Sequence, residues 1–276
     1  RKAGRRLVFV GDDRQAIYGF AGADAESLTR LGAELADTPA GCVLLPLTMT
    51  RRCGKAIVAE AKRIVPDFEA HESNGAGAVT RSTCETYGKT AAPGDMVVCR
   101  VNAPLVSHCF RFIREGRKAV IIGRDVAAGL VSTVRKLDAR DVADLIGKLG
   151  DWLDKEQAKE QVKKHPSDAR LIALQDRHDC LIAFATAPGV APTDPPSVVV
   201  EKIESVFTDD RNPGPAIRLS SIHRAKGLEA KRVFLLEPEG ASVPHPMAKS
   251  AWQVGQEWNL RYVAVTRARE ELVYVN

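Results

Sequence analysis

The chain has 276 residues, of which 45% are hydrophobic and 27% are charged. This composition excludes a disordered chain and is typical of a globular protein with about two domains. The net charge of +5 suits a polyanionic partner without identifying one. No run approaches the roughly 18 apolar residues of a membrane span, and no secretory signal opens the chain. We therefore expect a cytoplasmic protein without a membrane partner.

Taken in chain order, short apolar runs alternate with helical patterns. Strands are predicted at 7–10, 78–87, 96–100, 119–122, 217–220, 233–236 and 272–275, and a further apolar run lies at 43–47. Helices are predicted at 24–35, with Asp24 as its cap, and at 55–64, 104–115 and 256–269. This alternation predicts an α/β fold with a parallel sheet flanked by helices.

The middle of the chain differs, because its pattern is helical from 126 to about 206. An apolar stripe recurs at helical spacing after Val142. The charged run at 151–164 predicts a solvated helix face, and 187–196, with four prolines, predicts a loop. We interpret 126–213 as a small helical insertion.

The six cysteines lie at 42, 53, 84, 99, 109 and 180. No pair has the CxxC spacing of a zinc site, so we expect single thiols in a reducing compartment and no metal ligands.

The segment GDDRQAIYGFAGA at 11–23 follows the first predicted strand. Gln15 just past a strand end could orient water or sense a terminal phosphate, and Tyr18 and Phe20 could stack on bases. A turn closed by two core aromatics explains the same residues equally well. The segment resembles motif III of the UvrD/Rep-like superfamily 1 helicases, GDxxQxIYxFRGA, except that Ala21 replaces an arginine.

Two further segments resemble motifs IV and VI of these helicases. They are LTMTRRCGKAIV at 47–58 and QEWNLRYVAVTRAR at 256–269. The resemblance implies that Arg52 and Arg267 reach the γ-phosphate of ATP, and that Arg51 stands where the family often stacks a tyrosine on adenine. Without the resemblance, Arg51 and Arg52 are better explained as surface charge before a helix. Arg269 is expected to be a bystander.

The segments CRVNAPL at 99–105 and IRLSSIHRAKGLE at 217–229 are similar to the family's RxNA segment and motif V. The resemblance implies that Arg100 and Asn102, together with Ser221 and His223, contact the DNA strand, and that Glu229 contacts the nucleotide ribose. Asn102 is also a candidate cap for the following helix.

The motif that would hold the ATP phosphates, GxxxxGK[ST], does not occur in the 276 residues. Gly88-Lys89-Thr90 matches only its last three positions. The run at 235–239 is better explained as a strand end and turn than as the acidic end of a Walker B strand. The resemblance thus implies the C-terminal part of an ATP-dependent 3′–5′ DNA helicase, with a RecA-like second motor domain. Its partners would be ATP with Mg²⁺, single-stranded DNA or a junction, and an N-terminal half in cis or trans. The metal ligands would lie in that half, and the chain alone would be inactive.

Under this hypothesis, 1–40 is the tail of the first motor domain. The second domain comprises 41–125 and 214–276, separated by the insertion at 126–213. Three alternatives stay open: a non-catalytic DNA-binding module from a split or decayed helicase, the motor part of a helicase–nuclease, and a small-molecule α/β enzyme. The pathway, whether repair, replication or recombination, is not specified.

Overall fold

A computed structural model describes residues 7–18, 26–36, 38, 41–209, 213–240 and 242–276. A short 3-10 turn covers Asp13–Gln15. The helices are Ser27–Ala36 (α1), Lys55–Ala61 (α2), Cys84–Thr90 (α3), Ala103–Arg114 (α4), Arg124–Leu137 (α5), Val142–Gln161 (α6), Asp168–Ala185 (α7), Ser197–Val206 (α8), Ile222–Ala225 (α9) and Ala251–Val265 (α10). The strands are Met49–Thr50 (β1), Glu69–Ala70 (β2), Ala78–Ser82 (β3), Met96–Cys99 (β4), Ala119–Ile122 (β5), Phe207–Thr208 (β6), Ile217–Ser221 (β7), Ala230–Leu236 (β8) and Ala268–Val275 (β9).

Seven of the strands form one parallel sheet in the order β3-β9-β8-β4-β7-β5-β6, while β1 and β2 pair separately. The predicted α/β class is confirmed. A parallel sheet requires crossover connections that place helices on its faces, so strands at its centre can be buried on both faces. All four residues of β4 are buried, as this arrangement allows.

The core lies on both faces of the sheet because successive strand side chains alternate between them. Val97 and Cys99 pack into the cluster beneath helices α4 to α8. Met96 and Val98 pack into the cluster beneath α2 and α10. Each face is therefore covered by a different set of helices.

Helices α5 to α8 follow one another without an intervening strand, and the predicted loop at 187–196 separates α7 from α8. In α6 the buried apolar positions are spaced three or four residues apart, which places Leu145, Leu149 and Leu153 on one stripe. Strand β6 falls inside the range 126–213 but pairs with β5 in the main sheet. None of the described helices combines the length and hydropathy needed to cross a membrane.

The prediction of a buried strand at 7–10 is wrong. These residues are extended but pair with no strand among the described residues, and Val8 and Val10 are each 85% exposed. The apolar run at 43–47 is likewise exposed, with Leu47 at 91%. An apolar run becomes a strand only where a neighbouring strand takes its backbone hydrogen bonds.

Other boundaries moved for local reasons. The expected strand at 78–87 ends at Ser82, because Thr83 caps helix α3 by accepting the Thr86 amide. Gly88-Lys89-Thr90 is the end of that helix rather than a phosphate loop. Helix α10 begins earlier than predicted at a Ser250–Gln253 capping box. The predicted cap Asp24 and the start of helix 24–35 lie outside the described residues.

Candidate functional site

The predicted nucleotide residues meet at the amino ends of two neighbouring strands. Glu229 directly precedes β8 and Arg267 directly precedes β9, and Ala230 pairs with Ala268 at the start of the ladder. The Ala230 amide donates to the Arg267 carbonyl at 3.1 Å. Adjacent parallel strands therefore bring these two residues together although 38 positions separate them in the sequence.

Arg267 is almost fully enclosed, with 2% of its surface exposed. Its guanidinium donates to the Val263 carbonyl at 2.9 Å and to the Leu228 carbonyl at 3.1 Å. A third bond goes to Thr266 Oγ1 at 3.0 Å. Burial, followed by the positive charge of Arg52, lowers the pKa of Arg267 to about 10. Arg267 and Arg52 are therefore two cations that lie within electrostatic reach of each other.

Arg52 lies just before α2 and is partly exposed. Its Nε is buried without a hydrogen-bond acceptor among the described residues. The nearest carboxylate oxygen, from Glu229, is 3.9 Å away, and Arg269 contacts the same carboxylate at 3.4 Å. Arg51 points elsewhere, since it is exposed with a terminal nitrogen 3.4 Å from His71 Nδ1.

The motif III turn packs against the same region. Asp12 caps the 3-10 turn by accepting the Arg14 amide, and Gln15 Nε2 donates to the Asp12 carboxylate at 2.6 Å. The pKa of Tyr262 is raised to about 12, chiefly by burial and then by the charge of Asp12, while the charge of Arg52 lowers it. Asp12 and Arg52 therefore both influence the pKa of the Tyr262 phenol. The turn lies beside Arg52 and Arg267, which we call the arginine group.

The predicted DNA residues lie at the opposite end of the sheet. Cys99 ends β4 beside Ser221, which ends β7 and is 6% exposed. Two residues on, the carbonyl of His223 accepts the Tyr18 hydroxyl at 2.9 Å, and the two rings lie 5.9 Å apart. Burial, followed by the charge of Arg100, lowers the pKa of His223 to about 3, so its imidazole is neutral. Phe20 lies outside the described residues.

Lys226 joins the motif III turn to motif V. Its ammonium donates to the Gln15 carbonyl at 2.9 Å and lies 5.6 Å from the centre of the Tyr18 ring. No role was predicted for this lysine, although it belongs to the quoted motif.

Asn102 occupies the capping position of α4, but its side chain makes no capping bond. The cap comes from Asp176 in α7, whose Oδ1 accepts the Asn102 amide at 2.7 Å and the Ala103 amide at 2.8 Å. Asp176 Oδ2 accepts Asn102 Nδ2 at 2.8 Å. The prediction that Asn102 caps this helix is therefore wrong. Nothing in the sequence distinguishes Asp176 from the other acids of the helical segment.

Arg100 is turned into the protein rather than towards solvent. Its guanidinium pairs with Glu257 of α10 at 2.7 Å, and the two side chains are 11% and 7% exposed. The structure thus brings Arg100 near the strand-end residues but engages its charge internally.

Comparison with known sequences identifies similar proteins. The profile of the UvrD-like helicase C-terminal domain matches residues 199–275. Over 62 residues the chain is 39% identical to YjcD of Bacillus subtilis (strain 168), which is described as a candidate ATP-dependent DNA helicase. That match covers 20% of this chain and 8% of the relative. Residues 199–275 are thus similar to the C-terminal domain of UvrD-like helicases, and the parallel sheet flanked by helices agrees with a RecA-like α/β fold.

Proposed function

We propose that this chain is the C-terminal part of an ATP-dependent 3′–5′ DNA helicase that moves along single-stranded DNA. The observation that carries the proposal is the pair Arg52 and Arg267. Two guanidiniums lie within electrostatic reach of each other, and the Arg52 Nε lacks an acceptor in the described part of the chain. An anion beside them would relieve the repulsion and satisfy that donor. The planar fork of arginine suits a phosphoryl group in particular.

In this proposal, Arg52 and Arg267 contact the γ-phosphate of ATP bound between two motor domains. Glu229 accepts hydrogen bonds from the ribose, and Gln15 orients the attacking water. Arg51 stacks on the base after its side chain turns away from His71. Arginines that contact a transferring phosphoryl group stabilise the charge that it develops. Within the described residues no three His, Cys, Asp or Glu side chains meet at a possible metal site. The Mg²⁺ ligands would lie in the N-terminal motor half.

We call Tyr18, Asn102, Ser221 and His223 the strand-end group and propose that it holds single-stranded DNA. Tyr18, and Phe20 with it, would stack on bases, while Ser221, His223 and Asn102 contact the backbone. Arg100 would position this group through its ion pair with Glu257, because its guanidinium is not free to contact the DNA. Because phosphate contacts release counterions, binding should weaken steeply as salt rises. Affinity for an oligothymidylate that stays constant from low to high salt would contradict this assignment.

An N-terminal motor domain would cover the exposed apolar runs at 7–10 and 43–47. Exposed apolar patches of this kind mark interaction surfaces. We therefore keep the division into 1–40, 41–125, 126–213 and 214–276 as a proposal, with 1–40 belonging to the first motor domain. The N-terminal half could be joined in cis or bind in trans, as in a split helicase.

The test is ATP hydrolysis by the intact helicase that carries this chain. We expect R52A and R267K each to lower kcat by about a thousandfold, the lower end for phosphate-contacting arginines, with less effect on KM. R267K keeps a cation but loses the fork, and its melting temperature reports on folding. The matched control is R63A, which removes an arginine whose side chain is 76% exposed. A kcat within threefold of wild type for both variants would refute the proposal.

The 276-residue chain alone should hydrolyse ATP no faster than a blank reaction. Clear turnover that disappears in R267A would show this expectation to be wrong. Weak DNA binding without hydrolysis, rescued by adding a separate N-terminal half, would favour a split helicase over a single polypeptide.

A further inference from the structure

Among the ion pairs of the described residues, the pair between Arg100 and Glu257 is the most enclosed, with side chains that are 11% and 7% exposed. Arg100 Nε donates to both Glu257 carboxylate oxygens at 3.0 Å, and its terminal nitrogen donates to Oε1 at 2.7 Å. The backbone amide of His245 donates to the same carboxylate at 3.1 Å. One glutamate therefore ties together β4, the segment before α10, and α10 itself.

Each partner is adjacent in the chain to a different part of the proposed site. Arg100 follows the last residue of β4 and stands two residues before Asn102. Glu257 lies within α10, which ends at Val265, two residues before Arg267. At 1.5 Å per residue, Glu257 lies about 12 Å from Val265 along the helix. Helix α10 thus links the strand-end group to the arginine group.

The same helix also contacts the motif III turn between these two points. Asn259, which is 7% exposed, donates to the carbonyls of Asp13 and Ala16 at 3.4 and 3.5 Å. The Val263 carbonyl, one turn further, accepts the Arg267 Nε. A rigid displacement of α10 would therefore be transmitted to Arg267 and to the motif III turn together.

Burial of a charge pair is a poor way to gain stability, since desolvation offsets most of the attraction. The geometry of the pair is more informative, because three hydrogen bonds to one carboxylate restrict rotation of both groups. A pair of apolar side chains would fill the same volume without this restriction. The pair therefore defines the orientation of α10 relative to the end of β4.

We propose that Arg100 and Glu257 are positioning residues that couple DNA-strand contact at the end of β4 to the placement of Arg267. The proposal rests on the proposed function. Strand binding at Asn102 and His223 shifts the end of β4, the ion pair carries α10 with it, and Arg267 moves at the far end of that helix. The readout of this coupling is the factor by which DNA stimulates ATP hydrolysis.

The experiment compares ATP hydrolysis by the intact helicase with and without a saturating oligothymidylate. We expect E257Q to reduce the DNA-stimulated rate at least tenfold while the DNA-free rate stays within twofold of wild type. The matched control is E237Q, which breaks the partly enclosed pair of Glu237 with Arg261 on the same helix α10. We expect its stimulation to stay within twofold of wild type. Equal losses of stimulation in E257Q and E237Q would overturn the proposal.

A double variant separates positioning from folding. R100M/E257L removes both charges but keeps apolar volume, a replacement that is often neutral or stabilising in other proteins. We expect it to melt within a few degrees of wild type and still to lack DNA stimulation. Normal stimulation in a folded R100M/E257L enzyme would overturn the proposal.

The variant R100Q distinguishes positioning from direct contact. If Arg100 acts through Glu257, the nucleotide-free affinity for the oligothymidylate should stay within threefold of wild type, with the same salt dependence. A tenfold loss of affinity with a shallower salt dependence would make Arg100 a DNA ligand and overturn the proposal. A wild-type enzyme without any ATP hydrolysis would refute the proposed function itself. An active wild type with normal stimulation in E257Q would refute only the coupling.

Discussion

The carboxylate of Asp176 joins the helical segment to the strand-contact segment through three hydrogen bonds of 2.7 to 2.8 Å. The first N–H groups of a helix have no partner within that helix, so an outside acceptor is needed. Asp176 supplies this acceptor to α4 from 74 residues away in the sequence. Removing it tests how firmly α7 holds the segment that begins at Asn102.

The expected cost of D176A follows from these bonds. Loss of a helix cap costs typically about 1 kcal/mol. Each backbone donor left without an acceptor would cost about 1–3 kcal/mol if it were fully buried. Because Asn102 and Ala103 are only partly buried, water can replace part of the loss. We therefore expect D176A to lower the free energy of unfolding by about 2–4 kcal/mol.

D176N should behave differently. Its carboxamide oxygen can still accept both backbone amides. Its NH₂ group can donate to Asn102 Oδ1, which has no partner among the described residues, once the Asn102 amide turns over. Burial raises the pKa of Asp176, so the fold disfavours its charge. The neutral variant avoids that cost but loses about 0.3–1 kcal/mol of charge–dipole attraction. We expect D176N to lie within about 1 kcal/mol of wild type.

The assay is urea unfolding of the chain followed by circular dichroism, with hydrogen exchange at the Asn102 and Ala103 amides as a local readout. An Asp176 with a raised pKa contributes stability at low pH and loses it as the pH rises through that pKa. The stability of D176N relative to wild type should therefore increase as the pH rises from about 4. A D176A variant within about 0.5 kcal/mol of wild type would refute the cap, given the usual cost of losing one.

Three further predictions concern the strand-end group and the thiols. Y18F should weaken binding of an oligothymidylate less than Y18A, because Y18F retains the ring and loses the bond to the His223 carbonyl. Y18A should lose about 1–3 kcal/mol of stacking energy. Equal losses of affinity in the two variants would contradict a stacking role. Burial lowers the pKa of His223 to about 3 and that of His108 to about 4. Both imidazoles are therefore neutral in the fold but take up protons when the chain unfolds below about pH 6.5. The free energy of unfolding should fall from about pH 6.5 to 4, and it should fall less steeply in H108Q/H223Q. Parallel pH profiles for the wild type and H108Q/H223Q would show this expectation to be wrong. Cys42 and Cys84 are exposed and the other four cysteines are buried. A thiol reagent should therefore label two sites rapidly under native conditions and all six in urea. Burial raises the pKa of Cys99 and of Cys109 to about 12, and rapid labelling of either would contradict the fold.

The arrangement of the candidate site follows from parallel topology. Crossover connections return the chain to the same end of the sheet, so the residues that precede β8 and β9 meet at one end. The residues that follow β4 and β7 meet at the other end for the same reason. Helix α10 is the crossover between β8 and β9, and it spans both ends because a parallel connection must. Coupling between the two groups is thus possible without any dedicated linker.

Much of the fold could be predicted because burial and period are local properties. The strands β4 and β5 are continuous apolar runs, β8 ends in one at 233–236, and α6 carries its apolar residues at a helical interval. The apolar run at 7–10 has the same local signal, yet it pairs with no described strand. A local apolar run indicates that a segment tends to be buried. To form a strand, the segment also needs a neighbouring strand that pairs with its backbone hydrogen-bonding groups.

The sequence by itself determined the parallel α/β class, the UvrD-like motifs and the identity of the polar residues at the strand ends. Only the tertiary structure decided what those residues touch. Arg100 is directed inward by Glu257, 157 residues away, and Asn102 is held by Asp176 rather than capping its own helix. The physical reason is that hydrogen bonds and ion pairs act over about 3 Å in space whatever the separation along the chain. Their partners are selected by how the helices pack on the sheet, and no local pattern encodes that choice.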